Sequence, residues 1–424
     1  MTNNHQNRMI KNQNIYDVVV IGGGPAGLMS AGVAGKNGAK VLLLEKNDEL
    51  GKKLLISGGG RCNLTNANPD HRDFISNYGK KGSFLFTPFS IFGTADTVKF
   101  FNKLGLKTKV EDNFRVFPSS NRSQDVLNVL VRYARDNGVK FKFSAEVDGF
   151  KKSENTITSV LLKSGQEIKA KKFILATGGK SHPETGSTGD GFKWLSEIGH
   201  NVIKPNPALV PIKIKEIWIG DFSGITFEYV GVSIWQDGKK IMDKRGKILF
   251  THNGLSGPTI LNMSKDVGEV LKRGETKIAI DFFAGIDQSV LQERFIKLFE
   301  ENSNKKLRNL MIDEIPSKIF LRILDILSIN GEIKMHSISR EERIAIVNTL
   351  KKFELTIKGL AGFYKSIVSS GGLDLKEVDF KTMRSKIFDN LFFAGDILDF
   401  DRPSGGFSLQ LCWTTGYIAG KAEV

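Results

Sequence analysis

Three glycines near the start of the chain have the spacing of a phosphate-binding turn. Gly22, Gly24 and Gly27 follow an apolar, β-branched run over residues 16–21, which is typical of a strand buried on both faces. In such a turn the first glycine permits a tight bend, the second lets the backbone approach a pyrophosphate, and the third allows a helix to pack closely on the strand. The chemistry that this spacing predicts is the binding of a dinucleotide.

An acidic residue completes the pattern. The sequence predicts a helix from about Pro25 to Asn37, with Gly38 as its stop, and then a second strand over residues 40–44 that ends at Glu45. The N–H groups and the positive dipole end of the helix would face the diphosphate, and the Glu45 carboxylate would accept from the ribose hydroxyls. A carboxylate here disfavours a 2′-phosphate, so FAD or NAD fits this turn better than NADP.

A second glycine-rich loop follows over residues 51–66 and contains Arg61, Cys62 and Asn63. Three consecutive glycines are costly inside a regular element, so this stretch is expected to be a loop. Such a loop lets the backbone approach a flat ligand while Arg61 and Asn63 offer hydrogen-bond donors. The alternative is a structural turn in which Arg61 makes an ordinary ion pair. The preceding dinucleotide pattern favours the ligand-binding interpretation.

Length and composition indicate a soluble protein of two or three domains, with 424 residues of which 40% are hydrophobic and 25% charged. The first fourteen residues are polar and lack the apolar segment of a signal peptide, so we predict a disordered tail there. Residues 18–35 are apolar enough to resemble a membrane span, but their glycines and proline argue against one. Cys62 and Cys412 lie far apart, so neither a disulfide framework nor a metal site is expected, and the cytoplasm is the expected compartment.

The formal net charge of +15 at pH 7 suggests a polyanionic partner. Lysines cluster loosely at 99–109, 140–152, 163–172, 239–247 and 304–308. The alternative is a lysine-rich solvated surface without any such partner. No signature of an RRM, a KH domain or a zinc finger is present, so contact with RNA would depend on shape and on charged patches.

Residues 51–66 and four further stretches resemble the FAD flavoproteins of the BaiN/aminoacetone-oxidase/rRNA dihydrouridine synthase type, which belong to the glutathione-reductase-like nucleotide-binding class. The four stretches are Phe-Arg-Val-Phe-Pro (114–118), the Gly- and Thr-rich run 175–191, Phe-Thr-His-Asn-Gly-Leu-Ser-Gly-Pro (250–258) and Leu-Phe-Phe-Ala-Gly-Asp (391–396). The resemblance extends from about residue 15 to the C-terminus. It implies an α/β fold with a Rossmann-like FAD-binding domain.

We expect this domain to be discontinuous. Pro205, Pro207 and Pro211 interrupt the chain, residues 208–283 alternate like antiparallel strands with Asp237-Gly238 as a hairpin turn, and residues 288–351 show helical patterns. The predicted organisation is a tail (1–14), the first part of the FAD-binding domain (15–204), a β-barrel-like insertion (205–287), a helical insertion (288–352) and the second part of the FAD-binding domain (353–424).

The dinucleotide pattern and the resemblance together assign a set of residues to FAD. Asp396 would accept from the ribityl hydroxyls, and the helix that opens after residues 404–406 would place its positive end at the pyrimidine side of the flavin. Phe407 and Ser408 replace the usual Tyr-Asn of the family, and Asp396 replaces the commoner Glu. The assigned residues are Gly22, Gly24, Pro25, Ala26, Gly27, Glu45, Lys46, Lys53, Gly59, Arg61, Asn63, Thr177, Gly178, Gly395, Asp396, Gly406, Phe407 and Ser408.

Cys62 and His252 are the candidates for the proton donor. Each lies in a glycine-flanked loop that the resemblance brings near the flavin, and each can donate at neutral pH if its pKa is tuned. The alternatives are a cysteine packed beneath the ring and a hydrogen-bonded structural histidine. No second G-x-G-x-x-G follows a strand, so electrons from NAD(P)H would require a transient visit of that donor to the flavin.

The resemblance leaves several activities open. The favoured one is reduction of a uridine of 23S ribosomal RNA to dihydrouridine, because the positive net charge suits an RNA partner. The second is a small-molecule reaction, either reduction of an activated C=C bond or oxidation of an amine, in an enclosed apolar site. The third is a flavin-carrying RNA-binding protein without turnover.

Overall fold

The computed structural model describes residues 16–421, and within them the chain forms two compact units. The first unit comprises residues 16–207 and 366–421, and the second comprises residues 208–365. The tail predicted over residues 1–14 lies outside the described part of the chain.

The strands and helices carry the following bounds. The strands are β1 Tyr16–Ile21, β2 Val41–Leu44, β3 Thr65–Asn66, β4 Thr108–Glu111, β5 Arg115–Pro118, β6 Lys140–Lys142, β7 Val147–Ser153, β8 Thr156–Leu162, β9 Glu167–Ile168, β10 Ala170–Leu175, β11 Val202–Ala208, β12 Ile212–Ile214, β13 Thr226–Gln236, β14 Lys239–Thr251, β15 Gly254–Ser256, β16 Lys277–Asp281, β17 Phe353–Leu360, β18 Val368–Leu373, β19 Val378–Asp379, β20 Arg384–Ser385 and β21 Leu391–Phe393. The helices are α1 Pro25–Lys36, α2 Lys52–Ile56, α3 His71–Ser76, α4 Phe86–Ile91, α5 Thr94–Lys103, α6 Ser123–Asp136, α7 Asp190–Ile198, α8 Pro258–Leu271, α9 Gln288–Glu301, α10 Ser317–Leu327, α11 Arg340–Lys351 and α12 Phe407–Lys421.

The first unit is built on a seven-stranded sheet in the order β19-β20-β21-β10-β1-β2-β6. The five strands from β21 to β6 pair in parallel, and β1 lies between β10 and β2 with Val20 opposite both Ile174 and Leu43. Strands β2 and β21 and the second halves of β1 and β10 are apolar and buried, because a parallel sheet is covered on both faces, whereas the edge strand β6 carries two lysines. The Rossmann-like arrangement predicted from the sequence is confirmed.

Helices α1 and α12 pack against each other beside this sheet. The indole Nε1 of Trp413 in α12 donates to the carbonyl oxygen of Leu64 at 2.8 Å, and Cys412 next to it is buried. Both belong to the hydrophobic core of the first unit. The sequence suggests Ser123 as the N-cap of α6, but this is wrong, because Arg122 occupies the cap position and Ser123 Oγ donates to the Leu55 carbonyl oxygen at 2.7 Å.

The second unit contains a closed barrel in the order β12-β15-β14-β13-β16-β17, together with helices α8 to α11. The predicted hairpin turn is confirmed, since Asp237 and Gly238 join β13 to β14 with φ of +49° and +73°. Barrel residues such as Phe250 and Ile280 share one apolar core with helical residues such as Phe320. In the described part of the chain, no helix is long and apolar enough to cross a membrane.

Candidate active site

A cavity of about 380 Å³ lies in the first unit, where four parallel strands end. Its wall includes residues at or directly after the carboxyl ends of β1, β2, β10 and β21, which is where open α/β sheets bind ligands. From the first fingerprint the wall contains Gly22, Gly24, Pro25, Ala26, Glu45 and Lys46. From the later motifs it contains Lys53, Gly59, Thr177, Gly178, Asp396 and Ser408.

The glycines of the first turn do different work. A Cβ atom at Gly27 would lie 1.8 Å from the carbonyl oxygen of Gly22, so only glycine allows α1 to pack this closely on the end of β1. A Cβ atom at Gly24 would meet no protein atom within 4 Å. Gly24 lies in the cavity wall and begins α1 without a side-chain cap, so the helix N-terminus is open to an anion.

Glu45 is held rigidly at the edge of the cavity. Its Oε2 accepts from the Gly23 N–H at 2.8 Å, and its Oε1 accepts from the Asn47 backbone N–H and from Asn47 Nδ2, both at 2.8 Å. The side chain is nearly buried. Because protein donors bind both oxygens, the carboxylate group is held in one orientation. Its remaining lone pairs therefore keep fixed directions, which suits the recognition of ribose hydroxyls.

Two buried polar atoms of the wall make no hydrogen bond among the described residues. They are Thr177 Oγ1 and Asp396 Oδ1, the second of which lies 2.6 Å from Arg402 Nη2 in an ion pair. Buried polar atoms in folded proteins nearly always have a hydrogen-bond partner, so Thr177 Oγ1 above all points to a polar ligand in the cavity. The hydroxyl-rich FAD fits this wall, with a diphosphate at the open N-terminus of α1 and acceptors at Glu45 and Asp396.

Four of the predicted cofactor residues lie behind the wall instead of in it. Gly395 donates its N–H to Thr415 Oγ1 at 2.9 Å, and a Cβ at Gly406 would lie 2.4 Å from the Thr65 carbonyl oxygen. The Phe407 ring packs in the core, where its carbonyl oxygen accepts from the Tyr78 hydroxyl at 2.8 Å. Together with Gly27, these residues shape the backbone on which the wall is built.

Arg61 and Asn63 are occupied by protein partners. The Arg61 guanidinium binds Glu111 Oε1 at 2.5 Å and Asn121 Oδ1 at 2.7 Å, and lies 4.1 Å from the centre of the Phe117 ring. The amide oxygen of Asn63 accepts from the Gly406 N–H at 3.0 Å. Neither side chain is part of the wall, and their direct contact with a cofactor remains a prediction.

The two predicted proton donors lie in different units. Cys62 is fully buried in the first unit outside the cavity wall, and burial raises the pKa of its thiol to about 12, so it is a weak acid at neutral pH. His252 lies in the second unit, at the exposed turn between β14 and β15. The catalytic role of each remains a prediction.

The wall also contains His182 and residues 185–190. The sequence reasoning gave His182 no role, and it gave the run 185–191, which resembles a phosphate-type loop, only a supporting one. His182 Nδ1 lies 2.7 Å from Glu184 Oε1. Burial acts to raise the pKa of Glu184, but the hydrogen bond from His182, a backbone hydrogen bond and the nearby positive charges of His182 and Lys53 together outweigh burial and lower that pKa. The carboxylate therefore accepts and Nδ1 donates, which leaves Nε2 as the other proton site of the ring. The glycine spacing at 186 and 189, with φ of +102° and +88°, was the available signal for this loop.

The fold and the cavity define a protein with a Rossmann-like nucleotide-binding domain, and the family match and the relatives that follow make it an FAD-dependent oxidoreductase. The chain belongs to the HI0933-like family, because the family profile described as "HI0933-like protein Rossmann domain" matches residues 16–422. The family predicted from the motifs is thereby confirmed.

Similar curated proteins match nearly the whole chain. A 3-dehydro-bile acid delta(4,6)-reductase of Clostridium scindens is 29% identical over 95% of this chain and 98% of its own length. A ribosomal RNA dihydrouridine synthase of Escherichia coli is 26% identical over 96% of this chain and 97% of its own length. A protein of the same name from Haemophilus influenzae is 25% identical over 94% and 96%.

Solved structures with the same fold are more distant in sequence. A 3-ketosteroid-delta4-(5alpha)-dehydrogenase of Rhodococcus jostii RHA1 superposes with a TM-score of 0.55, at 14% identity, over 97% of this chain and 98% of that one. A flavocytochrome c3 fumarate reductase gives a TM-score of 0.53 at 15% identity, over 97% of this chain and 78% of that one. At these identities the likeness concerns the fold alone.

Proposed function

We propose that this FAD-dependent oxidoreductase reduces the C5=C6 bond of a uridine in large-subunit ribosomal RNA, with NAD(P)H as the transient electron donor. Two relatives that match the chain over its length are named ribosomal RNA dihydrouridine synthase. The observation that carries the choice of an RNA substrate is the net charge of +15, since such an excess attracts polyanions.

The cavity determines what the residues of this chain contribute. Bound FAD supplies the hydride for the reduction. Glu45 and Asp396 hold hydroxyl groups of the cofactor, and the N-terminus of α1 holds its diphosphate. A uracil stacked within a helix cannot reach a flavin held in such a cavity, so the target uridine must be unpaired or flipped out.

The reduction also needs a proton on C5 of the base. Among the titratable side chains of the wall, His182 is suited to deliver it, because Glu184 holds the ring through Nδ1 and, in the imidazolium form, Nε2 carries the proton to be transferred and leaves the ring neutral afterwards. Cys62 and His252 are the competing candidates. His182 is preferred because it lies in the cavity wall, whereas Cys62 lies outside that wall and His252 belongs to the second unit.

A basic ribbon, defined here as the hairpin β13–β14, supports an RNA partner. Lys239, Lys240, Lys244, Arg245 and Lys247 are exposed along it, as is Tyr229. Lys240 pairs with Asp243 and Lys247 with Glu228, whereas Lys244 and Arg245 have no ion pair among the described residues. Cations interleaved with an exposed aromatic ring form a surface typical of single-stranded nucleic-acid binding.

The experiment that tests the function in its native setting is nucleoside mapping of ribosomal RNA by mass spectrometry, in cells with and without this gene product. We expect one dihydrouridine of the large-subunit RNA to disappear with the protein and to return with the plasmid-borne wild type, but not with a variant that cannot bind FAD. Identical RNA in both strains contradicts the RNA substrate.

A second candidate is the reduction of an activated C=C bond in a small polycyclic molecule. The relative at 29% identity, a bile acid reductase, favours it. This alternative predicts turnover of an enone that is independent of salt, with little affinity for RNA.

A further inference from the structure

A buried arginine braces the Asp396 end of the cavity. The Arg402 side chain has no solvent exposure, although it lies in the loop between β21 and α12. Its Nε donates to Ser408 Oγ at 3.1 Å, its Nη1 donates to the Phe400 carbonyl oxygen at 2.6 Å, and its Nη2 lies 2.6 Å from Asp396 Oδ1. Since Ser408 and Asp396 both lie in the cavity wall, one rigid guanidinium fixes two side chains of that wall.

Within the described part of the chain, the ion pair between Arg402 and Asp396 lacks hydrogen bonds at the two atoms that face each other. Among the described residues, both Arg402 Nη2 and Asp396 Oδ1 are buried without an aligned hydrogen-bond partner, despite their short separation. A buried ion pair is stabilising only when further hydrogen bonds satisfy its remaining donors and acceptors. A hydroxyl-bearing ligand in the cavity would supply what Asp396 Oδ1 lacks.

Lys53 adds a second basic side chain to the cavity wall. Its Nζ donates to Ser181 Oγ at 3.1 Å. Burial lowers the pKa of Lys53, attraction to Asp396 opposes that change, and repulsion from Arg402 adds to it. Arg402 is the group that pairs directly with Asp396, and without it the buried carboxyl group would lose that partner.

We propose that Arg402 is a positioning residue of the FAD site, which holds Asp396 as an ionised, oriented acceptor and Ser408 in a single rotamer. Arg402 acts on the cofactor through these two side chains and not by direct contact. The inference rests on the proposed FAD site and is independent of the uridine substrate.

The test is a double-mutant cycle read out as the dissociation constant of FAD from the full-length protein. R402M should raise that constant about tenfold or more, because it leaves a buried carboxylate unpaired. D396N alone should also raise it. In the double variant, however, the neutral amide at position 396 no longer needs a counter-ion, so FAD should bind at least as tightly as it does to R402M alone. Wild-type protein without affinity for FAD would refute the cofactor itself; wild-type affinity in R402M would refute only the role of Arg402.

Three further variants separate positioning from folding. R402M removes a positive charge from the FAD site, so it should also lower the reduction potential of the flavin. R402K keeps the charge but lacks the planar guanidinium group, so it should bind FAD with an affinity between those of wild type and R402M, and restore most of that potential. S408A should weaken FAD binding less than R402M does. R132M removes an arginine that donates to the Leu104 carbonyl oxygen away from the cavity, and should change neither quantity. Additive effects of R402M and D396N, or equal FAD affinity in R402M and R132M, would overturn the proposal.

Discussion

Gly27 faces the carbonyl oxygen of Gly22 so closely that a Cβ atom at residue 27 would lie 1.8 Å from it. Three residues away, Gly24 faces open space at the cavity wall. Although both glycines belong to one sequence pattern, Gly27 is therefore required for the packing of α1 on β1, and Gly24 for the approach of the ligand.

We expect Gly27→Val to yield protein without bound flavin, and with a lower melting temperature, because α1 must move away from β1. Gly24→Ala should melt at the wild-type temperature as apoprotein, since its Cβ meets no protein atom, but should bind FAD at least about tenfold more weakly as the methyl group obstructs the diphosphate. Absorbance at 450 nm and thermal unfolding measure both. Gly24→Ala protein with full flavin content would show that the diphosphate lies elsewhere.

The stability of the protein should fall at alkaline pH in a way that depends on Cys62. Burial raises the pKa of its thiol from 9.0 to about 12, so between these values the unfolded chain releases a proton that the native state retains. The native state then binds more protons, and the free energy of unfolding falls as pH rises, by about 1.4 kcal/mol per unit for this group.

Urea unfolding from pH 8 to 11 measures this slope. Cys62→Ala should reduce the slope, whatever its effect on absolute stability. The buried Cys412, whose pKa burial also raises, makes Cys412→Ala the matched comparison. An unchanged slope in both variants would show that neither thiol is shielded from solvent.

The proton donor can be identified by single-turnover oxidation of the reduced flavin by substrate. His182→Gln should slow this step about a hundredfold at unchanged FAD content, because the transferable proton on Nε2 is lost. Cys62→Ala and His252→Ala are the parallel variants. A wild-type rate in His182→Gln, together with a slow step in either of the others, would assign the proton to that other residue.

Charge reversal on the basic ribbon should weaken binding to RNA. Lys244→Glu with Arg245→Glu should lower affinity for protein-free ribosomal RNA and flatten the dependence of log affinity on log salt by about 1.4 to 1.8, the value for two phosphate contacts. Lys306→Glu is the control, because Glu332 already binds Lys306 at 2.7 Å and Arg308 at 2.5 Å. Equal losses in both variants would place the RNA elsewhere.

The sequence predicted the strand–glycine–helix–strand unit ending at Glu45, because local spacing and burial determine such elements. It did not predict the partners of Arg61, since Glu111 and Asn121 lie 50 and 60 residues further along the chain and meet Arg61 only after folding. Arg402 belongs to no motif, and nothing in its neighbourhood of the sequence distinguishes a buried arginine from an exposed one. His182 lies in one of the stretches that resemble the family, but only the structure shows that it belongs to the cavity wall.

The most direct test of the central claim is incubation of the purified, NAD(P)H-reduced holoprotein with protein-free large-subunit ribosomal RNA, followed by mass spectrometry of its fragments. The account predicts a gain of two daltons on one uridine that is unpaired in that RNA, with loss of the product as salt rises. An unchanged mass at every uridine, together with rapid reoxidation of the flavin by a small enone, would contradict it.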